Sequence, residues 1–193
     1  MIIAIVGKSN SGKTTLAKEL EERSLYKGII SYTTRDPRPN EIDGKDYDFV
    51  SSEKFNDLEL QGNLSLVKTF HVQKNDLLVP VRYGFLVPAL WEAAKSSDPY
   101  YLLIDPRGLD ELKTKYGKNR VKSVYLAVSH TTRFLRGIER GDDIKELYRR
   151  FDSDDRDFYD MEASADYVIP EKDQKQGNLV YKVIQIMRNC HEA

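Results

Sequence analysis

The chain has 193 residues, with 30 Lys and Arg against 31 Asp and Glu and a formal net charge of −1. That near-balance excludes the global basic field of a general nucleic-acid binder, so any cationic site has to be a local cluster. The single cysteine, Cys190, excludes an intrachain disulfide, no apolar run approaches the roughly 18 to 20 residues of a spanning helix, and the opening run is too short for a signal peptide, so a soluble, cytoplasmic protein without membrane or nucleic-acid partners is expected.

In chain order, short apolar runs alternate with helical patterns. Residues 2–6, 100–104, 121–128 and 167–169 read as buried strands, and 16–22, 88–94, 109–116, 131–139, 144–159 and 179–188 as helices. This is the rhythm of a parallel sheet with helices on its faces. Between Ser31 and Phe85 the rhythm changes: 32–34, 47–50, 64–67 and 77–81 read as strands, with one short helix after Ser52. The expected fold class is α/β. It comprises a three-layer core on a central parallel sheet (1–31 and 86–193), a small mixed α/β lobe (32–85) and a short helical lid (136–150), all in one unit. No internal repeat or low-complexity tract is present.

The first strand runs directly into Gly7-Lys8-Ser9-Asn10-Ser11-Gly12-Lys13-Thr14-Thr15, and Leu16, Ala17 and Leu20 follow at helical spacing. Gly7 and Gly12 let the backbone fold back so that N–H groups converge on a phosphate. Lys13 adds a point charge, and Thr14 offers a hydroxyl to Mg²⁺. The helix N-terminus favours the same anion. With the strand before it and the helix after it, this loop predicts binding of a nucleoside triphosphate through Gly7, Asn10, Ser11, Gly12, Lys13, Thr14 and Thr15; the bland alternative is a Gly/Ser-rich turn.

In the small lobe, Arg35 and Arg38 stand three residues apart in a turn stiffened by Pro37 and Pro39. Two guanidinium groups held this way form a fork suited to a phosphate monoester. Thr33, Thr34 and Tyr47 offer further hydrogen bonds, and a solvated Pro-rich surface loop is the alternative. Further on, Arg136 and Arg140 share a helix face, Gly141 ends that helix, and Arg149-Arg150 follow. Arginines closing over phosphates would neutralise charge spreading over a transferred phosphoryl group; the alternative is a solvated basic face paired with Glu139 and Glu146. Asp105 ends an apolar run, at the sheet edge where ligands gather in open α/β folds. It is suited to orienting metal-bound water or to capping the next turn. Asp152-Ser153-Asp154-Asp155-Arg156-Asp157 lacks the turn glycine and the closing Glu of a calcium loop and reads as a solvated helix face. His71, His130 and His191 have no metal-ligand spacing, and His130 reads as a helix start after Ser129.

Ser31, Thr34, Arg35, Pro37, Arg38, Glu41, Gly44, Tyr47, Phe49, Val50 and Ser51 together match Ser-x-x-Thr-Arg-x-Pro-Arg followed by Glu, Gly, Tyr and Phe-Val-Ser. In this the chain resembles the guanylate kinase family of nucleoside monophosphate kinases. The similarity extends to Tyr83-Gly84, Asp105-x-x-Gly108 and the arginine-rich lid. It implies transfer of the γ-phosphate of Mg²⁺-bound ATP to a nucleoside monophosphate, GMP or dGMP first, with small-molecule nucleotides as the partners. Ser31, Arg35, Arg38, Glu41, Tyr47, Tyr83 and Asp105 would then bind the acceptor, and Lys13, Arg136, Arg140 and Arg150 would act in catalysis. Both ligands together would close the lobe and lid. Three positions depart from the family pattern: 64–67 has no carboxylate where a Glu reads guanine, Phe85 replaces a Ser or Thr, and Leu103 replaces an acid. Pro170-Glu171 also stands where an Asn near the donor base is usual. A related kinase for another nucleotide or a phosphorylated sugar, and a phospho-ligand binding module, remain open. The segment 71–80 exceeds the family's hairpin and offers itself for other base contacts.

Overall fold

The computed structural model describes residues 1–23, 26–38, 41–74, 77–174 and 178–192. In chain order its elements are β1 (Ile2–Val6), α1 (Lys13–Arg23), β2 (Lys27–Ile29), β3 (Tyr32–Thr33), β4 (Asp48–Phe49), α2 (Ser52–Leu60), β5 (Leu64–Lys74), β6 (Leu77–Leu86), α3 (Val87–Lys95), β7 (Tyr100–Leu103), α4 (Pro106–Tyr116), β8 (Val121–Ala127), α5 (His130–Glu139), α6 (Ile144–Asp157), α7 (Met161–Ser164), β9 (Tyr167–Pro170) and α8 (Asn178–Glu192). They form two compact units, Met1–Gly28 with Ser97–Ala193, and Ile29–Ser96.

The first unit is built on a sheet of order β2-β7-β1-β8-β9. β1 pairs in parallel with β7 and β8, and β8 with β9. All five residues of β1 are buried, as a strand covered on both faces requires. On one face, Leu16 and Leu20 of α1 and Val180, Val183 and Met187 of α8 pack against Ile3, Ile5, Val124, Leu126 and Ile169. Each such fully buried aliphatic side chain contributes roughly 1.5–3 kcal/mol. Because the strands run in parallel, the turns that leave their C-terminal ends lie along one edge of the sheet. That edge carries the loop after β1, Asp105 after β7, Ser129 after β8 and Glu171 after β9.

Helix starts in this unit are set by side chains that accept otherwise unpaired N–H groups. Asp105 accepts from Gly108 N–H at 2.9 Å, Ser129 from Thr132 N–H at 3.3 Å and Asp143 from Glu146 N–H at 2.9 Å. His130 therefore opens α5 directly after its cap. The helix read over 144–159 stops at Asp157, and the short α7 follows.

The second unit is a sheet of order β4-β3-β6-β5 with α2 on one face. Arg82 of β6 reaches α2, donating to Asn56 Oδ1 at 2.6 Å and pairing with Glu59. A Cβ on Gly84 would stand 3.2 Å from Val67 and 3.3 Å from Phe55. The opposite face therefore carries Tyr83 and Phe85, in alternation with Arg82 and Gly84. β5 and β6 are much longer than the runs 64–67 and 77–81 suggest, pairing from Leu64↔Leu86 to Lys74↔Leu77. Between Ser65 and Lys68 the register shifts, so Leu66 and Val67 together oppose Gly84, and Leu66 takes a left-handed φ of 56°.

Candidate functional site

The loop between β1 and α1 folds as its glycines dictate. A Cβ on Gly7 would lie 2.5 Å from Ser11 Oγ and 3.3 Å from Leu126, and Gly12 holds φ at 96°. Ser11 N–H donates to Lys8 C=O at 3.2 Å, and the first helical bond of α1 is Leu16 N–H to Gly12 C=O at 2.9 Å. The N–H groups of Lys13, Thr14 and Thr15 precede that bond, at the positive end of the helix. Lys13 Nζ folds back onto the loop, 2.6 Å from Gly7 C=O and 3.1 Å from Lys8 C=O. Burial holds its ammonium down at about 8. Ser11 Oγ is buried without a hydrogen-bond partner among the described residues.

Helix α5 and its C-terminal cap bring arginines onto this loop, and α6 brings a carboxylate. Arg136 donates to Asn10 C=O at 3.2 Å, and Arg140 to Asn10 Oδ1 at 2.8 Å. Asn10 itself takes a left-handed φ of 61° and donates through Nδ2 to Arg133 C=O at 3.1 Å. The close approach depends on Gly137, where a Cβ would meet Asn10 Nδ2 at 2.7 Å and Leu147 at 2.5 Å. Gly141, with φ 79°, follows Arg140 and ends the helix as its spacing implies. Arg149 and Arg150 share the buried carboxylate of Glu146, at 2.7 and 2.8 Å. Although burial opposes it, their hydrogen bonds and charges hold the Glu146 carboxyl below its ordinary value. Arg140 also pairs with Asp142, and Arg150 lies 3.4 Å from the same carboxylate.

Sequence reasoning missed two residues here. Asp154 belongs to the run read as a solvated helix face, yet it is buried, whereas Asp152 and Asp155 of that run are exposed. It accepts from Ser9 N–H at 2.8 Å, Ser9 Oγ at 3.2 Å and Arg133 Nη1 at 3.1 Å. Arg133 is 2% exposed, donates also to Ser9 C=O at 3.3 Å, and lies 4.3 Å from the centre of the Phe151 ring. The spacing held the signal: Asp154 stands three residues beyond Phe151 and seven beyond Leu147, on the apolar stripe of α6. Burial pushes its carboxyl up, against the pull of the Ser9 N–H, Lys13 and Arg133.

Two other predicted positions have defined roles in the first unit. Asp105 caps α4, the plainest of the readings offered for it. Glu171 accepts from Ser129 N–H at 2.9 Å and Thr132 Oγ1 at 2.5 Å, which together lower its carboxyl to about 2. It thus buttresses the start of α5.

In the second unit, Arg35, Arg38, Glu41, Tyr47 and Tyr83 come together. Arg35 is buried and donates through Nε to Tyr83 Oη at 3.1 Å, through Nη2 to Glu41 Oε1 at 3.0 Å, and through Nη1 to Asp36 C=O at 2.7 Å. Glu41 also accepts Arg38 N–H at 2.7 Å and lies 3.9 Å from the Arg38 guanidinium. The Tyr47 ring stands 5.3 Å from the Arg35 guanidinium and 5.9 Å from the Tyr83 ring, and burial pushes its phenol up. Ser31 is buried next to this cluster in sequence, and its C=O accepts Asp48 N–H. Pro39 lies outside the described residues. The result is two cations held by one carboxylate with two phenols beside them, chemistry suited to a phosphate monoester. Of the departures, Leu66 and Phe85 are both buried.

The donor set also fits Mg²⁺. A hard cation of this kind needs one or two protein oxygens together with substrate phosphates and water, and Thr14 stands exposed in the first turn of α1. The loop has no space for a side chain at Gly7, and at Gly12 a positive φ disfavours one.

A glycine-lysine loop leaving the first strand of a parallel sheet, with arginines from α5 and a carboxylate from α6 laid against it, defines a P-loop nucleotide kinase. The comparisons specify which. The family model described as Guanylate kinase matches residues 1–176. The guanylate kinase of Histophilus somni (strain 129Pt) is 33% identical over 181 residues, covering 90% of this chain and 81% of the relative. That of Wolbachia pipientis wMel is 30% identical over 177 residues, covering 90% and 83%. In fold, the chain is similar to the crystal structure of guanylate kinase from Anaplasma phagocytophilum, with a TM-score of 0.66, 22% identity and coverage of 98% of this chain and 85% of that one. The chain belongs to the guanylate kinase family, ATP-dependent nucleoside monophosphate kinases. No helix among the described residues is long and apolar enough to cross a membrane.

Proposed function

We propose that the chain moves the γ-phosphate of Mg²⁺-bound ATP to a nucleoside monophosphate, with GMP or dGMP as the leading acceptor. The observation that supports this reading is the pair of cationic clusters suited to phosphate, one built around Lys13 and Asn10 in the first unit and one around Arg35 and Tyr83 in the second. Gly7, Asn10, Ser11, Gly12, Lys13, Thr14 and Thr15 receive the donor's phosphates, with Lys13 neutralising their charge. Ser31, Arg35, Arg38, Glu41, Tyr47 and Tyr83 receive the acceptor, with Glu41 setting the arginines, and Asp105 is assigned to its base end. Arg136, Arg140 and Arg150, within a lid at 136–150, stabilise charge on the transferred group. Mg²⁺, held by Thr14, would supply charge neutralisation at the phosphate oxygens. An acceptor phosphate is already anionic at neutral pH, so no strong base is required. A cytoplasmic location goes with this reading, as does a 32–85 acceptor lobe.

A second reading, a different nucleotide or a phosphorylated sugar as acceptor, is favoured by the buried Leu66 and Phe85. Hydrogen-bonding groups separate related substrates by roughly 10⁴ or more and apolar ones by about 10 to 200. The test is ADP release from Mg-ATP with each ribo- and deoxyribonucleoside monophosphate and with ribose 5-phosphate. Turnover confined to GMP and dGMP supports the first reading, turnover with another acceptor replaces it with the second, and no turnover with any removes both.

A further inference from the structure

Three consecutive peptide groups of the phosphate loop are pinned by side chains from α5 and α6. Asp154 takes the N–H of the Lys8–Ser9 peptide at 2.8 Å, Arg133 donates to the C=O of the Ser9–Asn10 peptide at 3.3 Å, and Arg136 donates to the C=O of the Asn10–Ser11 peptide at 3.2 Å. The first of these pins has the longest reach. A trans peptide is planar, with N–H and C=O pointing opposite ways, and the described chain has no cis bond. Turning Ser9 N–H toward Asp154 therefore turns Lys8 C=O toward the inside of the loop. There it accepts both Ser11 N–H at 3.2 Å and Lys13 Nζ at 3.1 Å.

We propose that Asp154 is a positioning residue for the donor site: through the Lys8–Ser9 peptide it sets the loop backbone and Lys13 to receive a triphosphate, and Arg133 holds Asp154 in place. Asp154 itself does not touch the donor. Arg133 is locked in turn by burial, by the Phe151 ring and by its second bond to Ser9. Ser9 Oγ adds a further bond to the same carboxylate at 3.2 Å. A buried ion pair is by itself weak grounds for stability, which is why its use here is assigned to orientation.

The inference rests on the ATP-dependent reading, and the experiment separates the two. Binding of Mg-ATP and of GMP is measured by calorimetry, and KM and kcat for both substrates by ADP release, for the wild type, Asp154→Ala, Asp154→Asn and Ser9→Ala, each well below its own melting temperature. Asp154→Asn keeps an oxygen for Ser9 N–H, and Ser9→Ala keeps the N–H itself. The expected result is an ATP Kd and KM raised at least tenfold in Asp154→Ala with GMP affinity within about twofold of wild type, most of the loss restored in Asp154→Asn, and little loss in Ser9→Ala. If Asp154→Ala fails to fold, an Asp154→Asn variant within about threefold of wild type for ATP, set against Asp154→Ser, which is too short to reach Ser9, carries the same comparison. Equal weakening of both ligands, or unchanged ATP binding in Asp154→Ala or Asp154→Ser, overturns the proposal while the kinase reading stands. A wild type that binds no ATP overturns both.

Discussion

Arg140 donates to the side-chain oxygen of Asn10 at 2.8 Å, tying the C-terminal cap of α5 to the crown of the phosphate loop 130 positions earlier. Asn10 also accepts Arg136 through its C=O and donates to Arg133, so one side chain and one backbone group register three arginine positions against the loop. Asn10→Ala removes both side-chain links. The charge-assisted bond from Arg140 is worth roughly 1.5–3 kcal/mol at most, discounted for the exposure of Arg140, and the neutral bond to Arg133 C=O roughly 0.5–1.5 kcal/mol. The expected result is a loss of about tenfold in kcat/KM for ATP with GMP affinity unchanged, read by steady-state kinetics.

Gly137 makes that approach possible. Alanine there would gain up to about 1 kcal/mol of helix propensity, but its Cβ would stand 2.5 Å from Leu147 and 2.7 Å from Asn10 Nδ2. Overpacking of this kind costs roughly 1–3 kcal/mol, so the clash wins. Gly137→Ala should lower the melting temperature and raise the KM for ATP; an unchanged or raised melting temperature in calorimetry would contradict the packing argument.

Lys13 gives a pH dependence with a definite sign. Its ammonium is held at about 8 in the unliganded fold, against the ordinary value of 10.5. Between those values the unfolded chain binds more protons than the folded one, so the unliganded protein gains stability as pH rises through that window. Below about pH 8 the cost of the buried charge is present in full. Urea melts at pH 7.5, 8.5 and 9.5 should therefore show Lys13→Met more stable than wild type at pH 7.5, with the difference shrinking as pH rises. In the same variant phosphoryl transfer should fall by orders of magnitude.

The two arginines of the second unit should separate. Arg38 is 39% exposed and Arg35 is 8% exposed against Glu41 at 12%. Removing Arg35 leaves a largely buried carboxylate without its main partner, which costs about 3 kcal/mol. Arg38→Ala should raise the acceptor KM about tenfold or more with little change in unfolding free energy. Arg35→Ala should lose both acceptor binding and stability, as measured by parallel kinetics and urea titration.

The phosphate loop was legible because two glycines and a lysine after an apolar strand mark it locally, whereas the α5 and α6 side chains that pin its backbone lie far along the chain. The sheet strands at 2–6 and 100–104 were legible because strands buried on both faces read as near-continuous apolar runs, and those at 121–128 and 167–169 by their content of Val, Ile and Tyr. The β5–β6 ribbon was read short because Lys68, Thr69, His71 and Gln73 break the apolar run, and Pro80 argues against a strand interior. β3 meets β6 only at Tyr83 and Gly84, so Pro80 has a strand on just one paired side. The three-residue β2, two of its residues exposed, carries almost no pattern. Asp154 and Arg133 were lost for a different reason. Charge in a sequence reads as surface, and only the tertiary approach of α5 and α6 to Ser9 makes their burial favourable, although the apolar spacing 147, 151, 154 already placed one of them on the wrong face for a solvated residue.

The most direct test is chromatographic detection of GDP formed from GMP and Mg-ATP, with wild type and Lys13→Ala side by side. The account predicts GDP and ADP in equal amounts from the wild type, and a rate lower by orders of magnitude from the variant, with its GMP affinity intact. GDP formation at equal rates by the two proteins, or ADP without GDP from the wild type, would contradict it.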